Sequence, residues 1–196
     1  MKTKFLLAIF LVIILFSCKK NNRLIEKHNK DVFLGDSIIM ENNYFQNLSE
    51  VNGYSILSMQ NKLYQKKYSN FKNSDVSQLK DNINFKFEKQ YVNKGDKYRI
   101  VLYTLIHNTK KDSFEFYRNV NDLKYEPSNY TSLSYLDLKH SKIWQIKYFS
   151  SPVDKSVGYI LYAKNKILEN GKIETDSPYY LDESLDVEME KNKLYY

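Results

Sequence analysis

The chain has 196 residues and a formal net charge of +7, with 18 tyrosines and 11 phenylalanines against 5 glycines and 3 prolines. A single cysteine excludes an intramolecular disulfide, so packing must supply the stability, and rings of this size bury large areas. The three histidines lack close ligand spacing, and there is no phosphate-binding glycine loop or dinucleotide fingerprint, so no metal and no cofactor are expected.

Lys2 and Lys4 open the chain, Phe5 to Phe16 are apolar without a break, and Ser17 is small. That is the layout of a secretory signal peptide. The run is short for a membrane span, which needs roughly 20 apolar residues. Leu15-Phe16-Ser17-Cys18 resembles the lipobox of bacterial lipoproteins. The resemblance implies cleavage before Cys18, a diacylglyceryl group on its thiol and acylation of the new amine. Two or more chains make a stable anchor where one is marginal. An ordinary secretory signal with a stray cysteine is the alternative. Lys19-Lys20-Asn21-Asn22 and heavy use of Asn, Lys, Ile and Tyr are similar to lipoproteins of AT-rich Gram-negative bacteria. This implies a lipid anchor in the outer membrane, facing the periplasm or the surface. The expected organisation is a leader over 1–17, lipidated Cys18 with a polar tether over 18–30, and one globular domain over 31–196.

Charge is unevenly distributed in the mature chain. Residues 174–190 hold seven acids and no base, whereas 18–173 carry 26 bases against 16 acids, a net of +10. A basic body attracts anionic lipid headgroups or nucleic acid. An envelope address disfavours nucleic acid, and lysines spread this evenly also suit a plain solvated surface.

Ile56, Met59, Leu63, Tyr64, Tyr68 and Phe71 recur at helical spacing and predict a helix over 55–71. A second short helix is expected from Asp75, with Gln78 completing a capping box and Val76, Leu79 and Ile83 facing inward. From residue 83 the period changes to two: Ile83, Phe85 and Phe87 alternate with polar residues. A turn at Asn93–Asp96 leads to a strand over Tyr98–His107, apolar on both phases and so covered on both sides. Asn108–Asp112 should turn again. Three more strands read as TSLSYLDL, KIWQIKYF and VGYILYA, with turns near His140-Ser141 and over Ser151–Lys155. The apolar phase jumps between Tyr135 and Leu136, which predicts a bulge. Asn170-Gly171 predicts a hairpin with positive φ at both central positions. The acids beyond it suit a terminal strand or tail, although they could collect Ca²⁺ without matching an EF-hand loop. Short connections imply antiparallel neighbours. The expected fold is α+β, predominantly an antiparallel meander with one or two N-terminal helices, or alternatively an all-β sandwich or barrel.

One constellation points to catalysis. Gly35-Asp36-Ser37 after an apolar run, Asn119–Asp122 and the Asp-x-x-His of Asp137 and His140 resemble the nucleophile, oxyanion and base blocks of SGNH-type esterases. The resemblance implies Ser37 as nucleophile, His140 as base and Asp137 as its orienting carboxylate. It also implies a parallel sheet interleaved with helices, at odds with the hairpins read from residue 83 onward. A turn at Gly35-Asp36-Ser37 and a polar strand tip at His140 explain the same residues without chemistry. Tyr and Asn side chains suit protein or glycan recognition, with Tyr179-Tyr180 and Tyr195-Tyr196 as pairs to inspect for exposure. The leading expectation is a lipid-anchored envelope protein with a non-catalytic domain that binds an envelope or toxin protein. A periplasmic inhibitor or immunity-type protein and an esterase using Ser37 are the alternatives.

Overall fold

Alternation of apolar and polar residues makes the long strands of this chain. Ile83, Phe85 and Phe87 are buried along one side of β2 (Ile83–Tyr91), with half-exposed polar residues between them. In the computed structural model, residues 32–48, 53–92, 98–121, 123–180 and 185–194 are described. Cys18 and the tether lie outside them, as do the expected turn at Asn93–Asp96 and the last two tyrosines. From Phe33 onward the chain forms one unit.

The dominant element is a sheet of eight strands in sequence order: β1 (Ser77–Lys80), β2, β3 (Tyr98–Ile106), β4 (Thr109–Val120), β5 (Asn129–Asp137), β6 (Lys142–Ser151), β7 (Ser156–Ile167) and β8 (Ile173–Tyr180). Every pairing is antiparallel, and β1 and β8 form open edges. Ile100, Leu102 and Thr104 are buried on one phase of β3 and Val101 and Leu105 on the other, as a strand covered on both sides requires. The sheet curls so that the β7–β8 turn reaches β3 and β4. Thr104 Oγ1 donates to Gly171 O, and Ile173 N donates to Asp112 Oδ2 at 2.9 Å. The parallel sheet implied by the esterase resemblance is absent from the described residues.

Local expectations fail where tertiary bonds prevail over sequence pattern. The segment at Asp75 is the edge strand β1 and not a helix. Ser74 N donates to Phe87 O and Phe87 N to Ser74 Oγ, which pulls the chain along β2, while Gln78 Nε2 donates to Asp81 O instead of closing a capping box. No bulge separates Tyr135 from Leu136: their pairing with Trp144 and Ile143 is continuous. The apolar phase shifts there because Ser132 and Ser134 are buried beside Gln145, whose Nε2 donates to both hydroxyls and to Glu115 O. The β3–β4 turn is two residues, His107 and Asn108, both at positive φ, so β4 starts at Thr109. The hairpin at Asn170 is instead a three-residue loop in which Gly171 alone takes positive φ, and Gly171 N donates to Leu168 O at 2.9 Å.

Helices cover both faces of the sheet. A 3₁₀ turn (Ser37–Met40), α1 (Tyr44–Leu48) and α2 (Gly53–Tyr68) precede it. The predicted helix is present, but its buried stripe is Leu57, Gln60, Tyr64 and Tyr68. Tyr64 and Tyr68 stack on Tyr117 of β4 at 5.6 and 5.3 Å. Near the C-terminus, a helix, α3 (Leu185–Lys191), stands where a strand or tail was expected. It forms because Leu185, Met189 and Leu194 bury against Val120, Tyr130 and Phe149, and Arg118 Nη1 donates to Leu194 O at 2.8 Å. Asp186 and Glu188 in its first turn and Lys191 in its last complement the helix dipole. Because Tyr148 meets α2 while its neighbour Phe149 meets α3, the two helices lie on opposite faces.

The tyrosines join these layers. Tyr64 OH donates to Ser134 O and accepts from Asp36 N; Tyr68 OH donates to Phe33 O, Tyr148 OH to Leu57 O, and Tyr162 OH to Ile39 O. Tyr44, Tyr117 and Tyr130 find partners in Gln60, Asn61 and Glu115. Burial pushes the Tyr162 hydroxyl up to about 12 and likewise raises Tyr44, Tyr64, Tyr68, Tyr117, Tyr130 and Tyr148 well above the usual tyrosine value.

Alkali should therefore unfold this protein steeply. The folded chain keeps these protons while the unfolded chain releases them above pH ~10, so their stabilisation is full below that value and falls as pH rises toward the folded pKa values. Seven tyrosines at about 1.4 kcal/mol per pH unit each would exhaust a typical stability of roughly 5–15 kcal/mol within about 0.5 to 1.5 units. Absorbance at 295 nm should report their ionisation in one step, coincident with loss of the sheet signal in circular dichroism. Gradual ionisation with the sheet intact would contradict the hydroxyl assignments.

Candidate functional site

Each residue of Gly35-Asp36-Ser37 has a structural task or none. Gly35 has φ +94°, and a Cβ there would lie 2.0 Å from Ser134 O. The neighbouring Leu34 accepts from Leu136 N at 2.8 Å, so the segment lies against β5 at backbone distance. Asp36 caps the 3₁₀ turn, its carboxylate accepting from Ile38 N, while its own N–H donates to Tyr64. Ser37 is exposed, and no hydrogen bond joins it to Asp137 or His140 among the described residues.

Asp137 and His140 do come together. They flank the β5–β6 turn, with His140 Nδ1 at 2.6 Å from Asp137 Oδ2 and His140 N donating to Oδ1 at 3.2 Å. The carboxylate is largely buried and the imidazole is 56% exposed, so a buried acid orients a ring in contact with water. Of the expected oxyanion block, Asn119 is held by Asn61, Thr131 and Asn121, and Asp122 lies outside the described residues.

His140 borders an open cleft of about 620 Å³ at this end of the sheet. Three turns build it: β1–β2 contributes Lys80 and Asp81, β5–β6 contributes Lys139 and Lys142, and β7–β8 contributes Lys166 and Glu169. In an antiparallel meander alternate turns fall at the same end, which is how residues so far apart in sequence meet. Four lysines and two acids line the cleft. The ion pairs present are long, at 4.0 Å for Lys80–Asp81 and 3.9 Å for Lys166–Asp176, and such exposed pairs hold their charges weakly. The lysines thus remain available to an anionic ligand. His140 is legible in the sequence through its spacing from Asp137, whereas the lysines are marked only by their position beside alternate turns.

Other features are smaller. A polar pocket between α2 and β5–β6, lined by Asn61, Asn119 and Tyr148 among others, measures about 60 Å³, room for water and little else. Tyr179 and Tyr180 are exposed on β8, with Tyr179 beside the rings of Phe45 and Tyr162. Among the described residues no three His, Cys, Asp or Glu side chains are grouped to hold a metal. Asp186 and Glu188, raised as Ca²⁺ ligands, lie in α3, where Glu188 pairs with Lys191 at 3.1 Å. No known protein family, curated protein or solved structure matches the chain.

If Gly35 serves backbone approach, Gly35→Ala should cost about 2 kcal/mol or more, since positive φ alone costs an alanine ~1–2 kcal/mol before the clash with Ser134. Ser37→Ala should stay within about 0.5 kcal/mol of the parent, as exposed substitutions do. Urea unfolding of the two variants measures both. Equal effects would refute the division of roles.

Proposed function

We propose that the protein is a lipid-anchored cell-envelope module that binds another protein without catalysis, through the lysine-lined cleft at the His140 end of the sheet. The observation that carries this reading is the cleft itself: an open cavity with an excess of cations and an oriented histidine, to which no nucleophile is hydrogen-bonded among the described residues. The lipobox-like stretch at Cys18 supports the anchor, and residues 19–30 supply a tether reaching about 40 Å when extended. An outer-membrane address follows from the same leader. The domain is read as α+β, with helices walling both sides of the sheet. Its partner presents an acidic face. The contact strengthens on encounter through complementary charge and weakens with salt.

Photo-cross-linking in cells tests the reading. A cross-linking side chain at Lys139 should capture one defined acidic protein, and the same group at Val153, in the β6–β7 turn at the far end of the sheet, should not. Reversing charge with Lys142→Glu and Lys166→Glu should reduce capture at least ~10-fold, as loss of two charge contacts implies. Capture indifferent to these changes would eliminate the cleft as the site.

The Asp137–His140 contact also suits the esterase reading, in which Ser37 is the nucleophile. A serine-reactive phosphonate separates the two. The binding reading expects no labelling, whereas labelling abolished by Ser37→Ala and by His140→Gln would replace it.

A further inference from the structure

Helix α2 is apolar on two sides. Its inner stripe packs on the sheet, yet Met59 is 70% exposed and Leu63 36%, with Ile56 half-buried beside them. At about 100° per residue these three fall within an arc of about 60° on the outer face. Lys67 lies just beyond one side of the arc, and Lys62 and Lys66 beyond the other, all three exposed. No ion pair occupies these lysines among the described residues, and the sequence from Gly53 through Ser74 contains no acid. Lys89 adds charge at the helix C-terminus, where its Nζ donates to Tyr68 O and Ser69 O.

We infer that the outer face of α2 docks on an anionic lipid surface, with Met59 and Leu63 entering the headgroup boundary and Lys62, Lys66 and Lys67 meeting lipid phosphates. The inference concerns a surface separate from the cleft and does not depend on it. Three apolar side chains in a narrow stripe fall short of the roughly 800 Å² per partner that a stable protein interface buries. A lipid surface demands only shallow insertion combined with charge, and lysines flanking an apolar stripe extend their stems along it while their ammonium groups stay among the headgroups. Each lysine near such a surface adds to the attraction, and three together favour the docked orientation by roughly 100-fold.

The test reads depth at the helix and not attachment of the protein, because an anchor would attach it to any vesicle. Full-length protein carrying Met59→Trp is reconstituted into vesicles containing acyl-chain-brominated phosphatidylcholine, with or without phosphatidylglycerol. The parent protein corrects for Trp144. The expected result is quenching at position 59 in the phosphatidylglycerol vesicles, reduced in phosphatidylcholine alone and reduced likewise by Lys62→Gln, Lys66→Gln and Lys67→Gln together. Leu63→Trp gives a second reading from the same stripe. Quenching independent of headgroup charge would assign it to the anchor and overturn the inference. No quenching in either vesicle would also overturn it and leave the stripe to a protein partner.

Discussion

The fold depends on buried tyrosine hydroxyls that bond to backbone carbonyls of a different layer. A phenol in an apolar core costs free energy unless its proton finds an acceptor, and here each acceptor lies on the element that the ring must hold. Tyr64 is the centre of this arrangement, linking α2 to Ser134 of β5 while receiving the N–H of Asp36. Tyr68, Tyr148 and Tyr162 repeat the device at Phe33, Leu57 and Ile39. Rings supply the buried area, and the hydroxyls select one register between layers. In a chain with one cysteine they do the positioning that crosslinks do elsewhere.

The same constraint gives the Gly35-Asp36-Ser37 segment its shape. Gly35 meets β5 without a side chain, Asp36 is fixed by Tyr64, and the next residue leaves the sheet at the start of a 3₁₀ turn. Much of what resembles a catalytic block is therefore explained by backbone contact. Asp137 and His140 differ, because besides closing the turn through His140 N the buried carboxylate holds an exposed imidazole beside an open cleft. Their position at a turn, among lysines from two other turns, makes this end of the sheet the chemically distinctive one.

The strands were legible because their period is local. Ile83, Phe85 and Phe87 announce β2 by alternation, and β3 declares its double coverage by lacking one. What escaped reading was decided at long range. The segment at Asp75 has helical spacing, but bonds from Ser74 to Phe87 make it an edge strand. Helix α2 was found with its face turned, because Ile56, Met59 and Leu63 are as apolar as the residues that actually bury, and only the sheet distinguishes them. The C-terminal helix was hidden by its acids, since its apolar contacts, Leu185 and Met189, depend on Tyr130 and Phe149 for a surface. Of the cleft, His140 was visible through its spacing from Asp137, while the lysines become a site only when alternate turns converge.

The strictly sequential order of the sheet separates the chain's contacts into two kinds. Each strand pairs with the next one, so its loops are short and cheap in entropy to close, and hairpins of this sort form early. The N-terminal segment adds bonds to distant strands: Leu34 O accepts from Leu136 N, and Ile39 O accepts from Tyr162 OH, 123 residues away. Those contacts cannot exist until the later strands have assembled. The first described segment, though synthesised before the sheet, is thus locked only once β5 and β7 are in place.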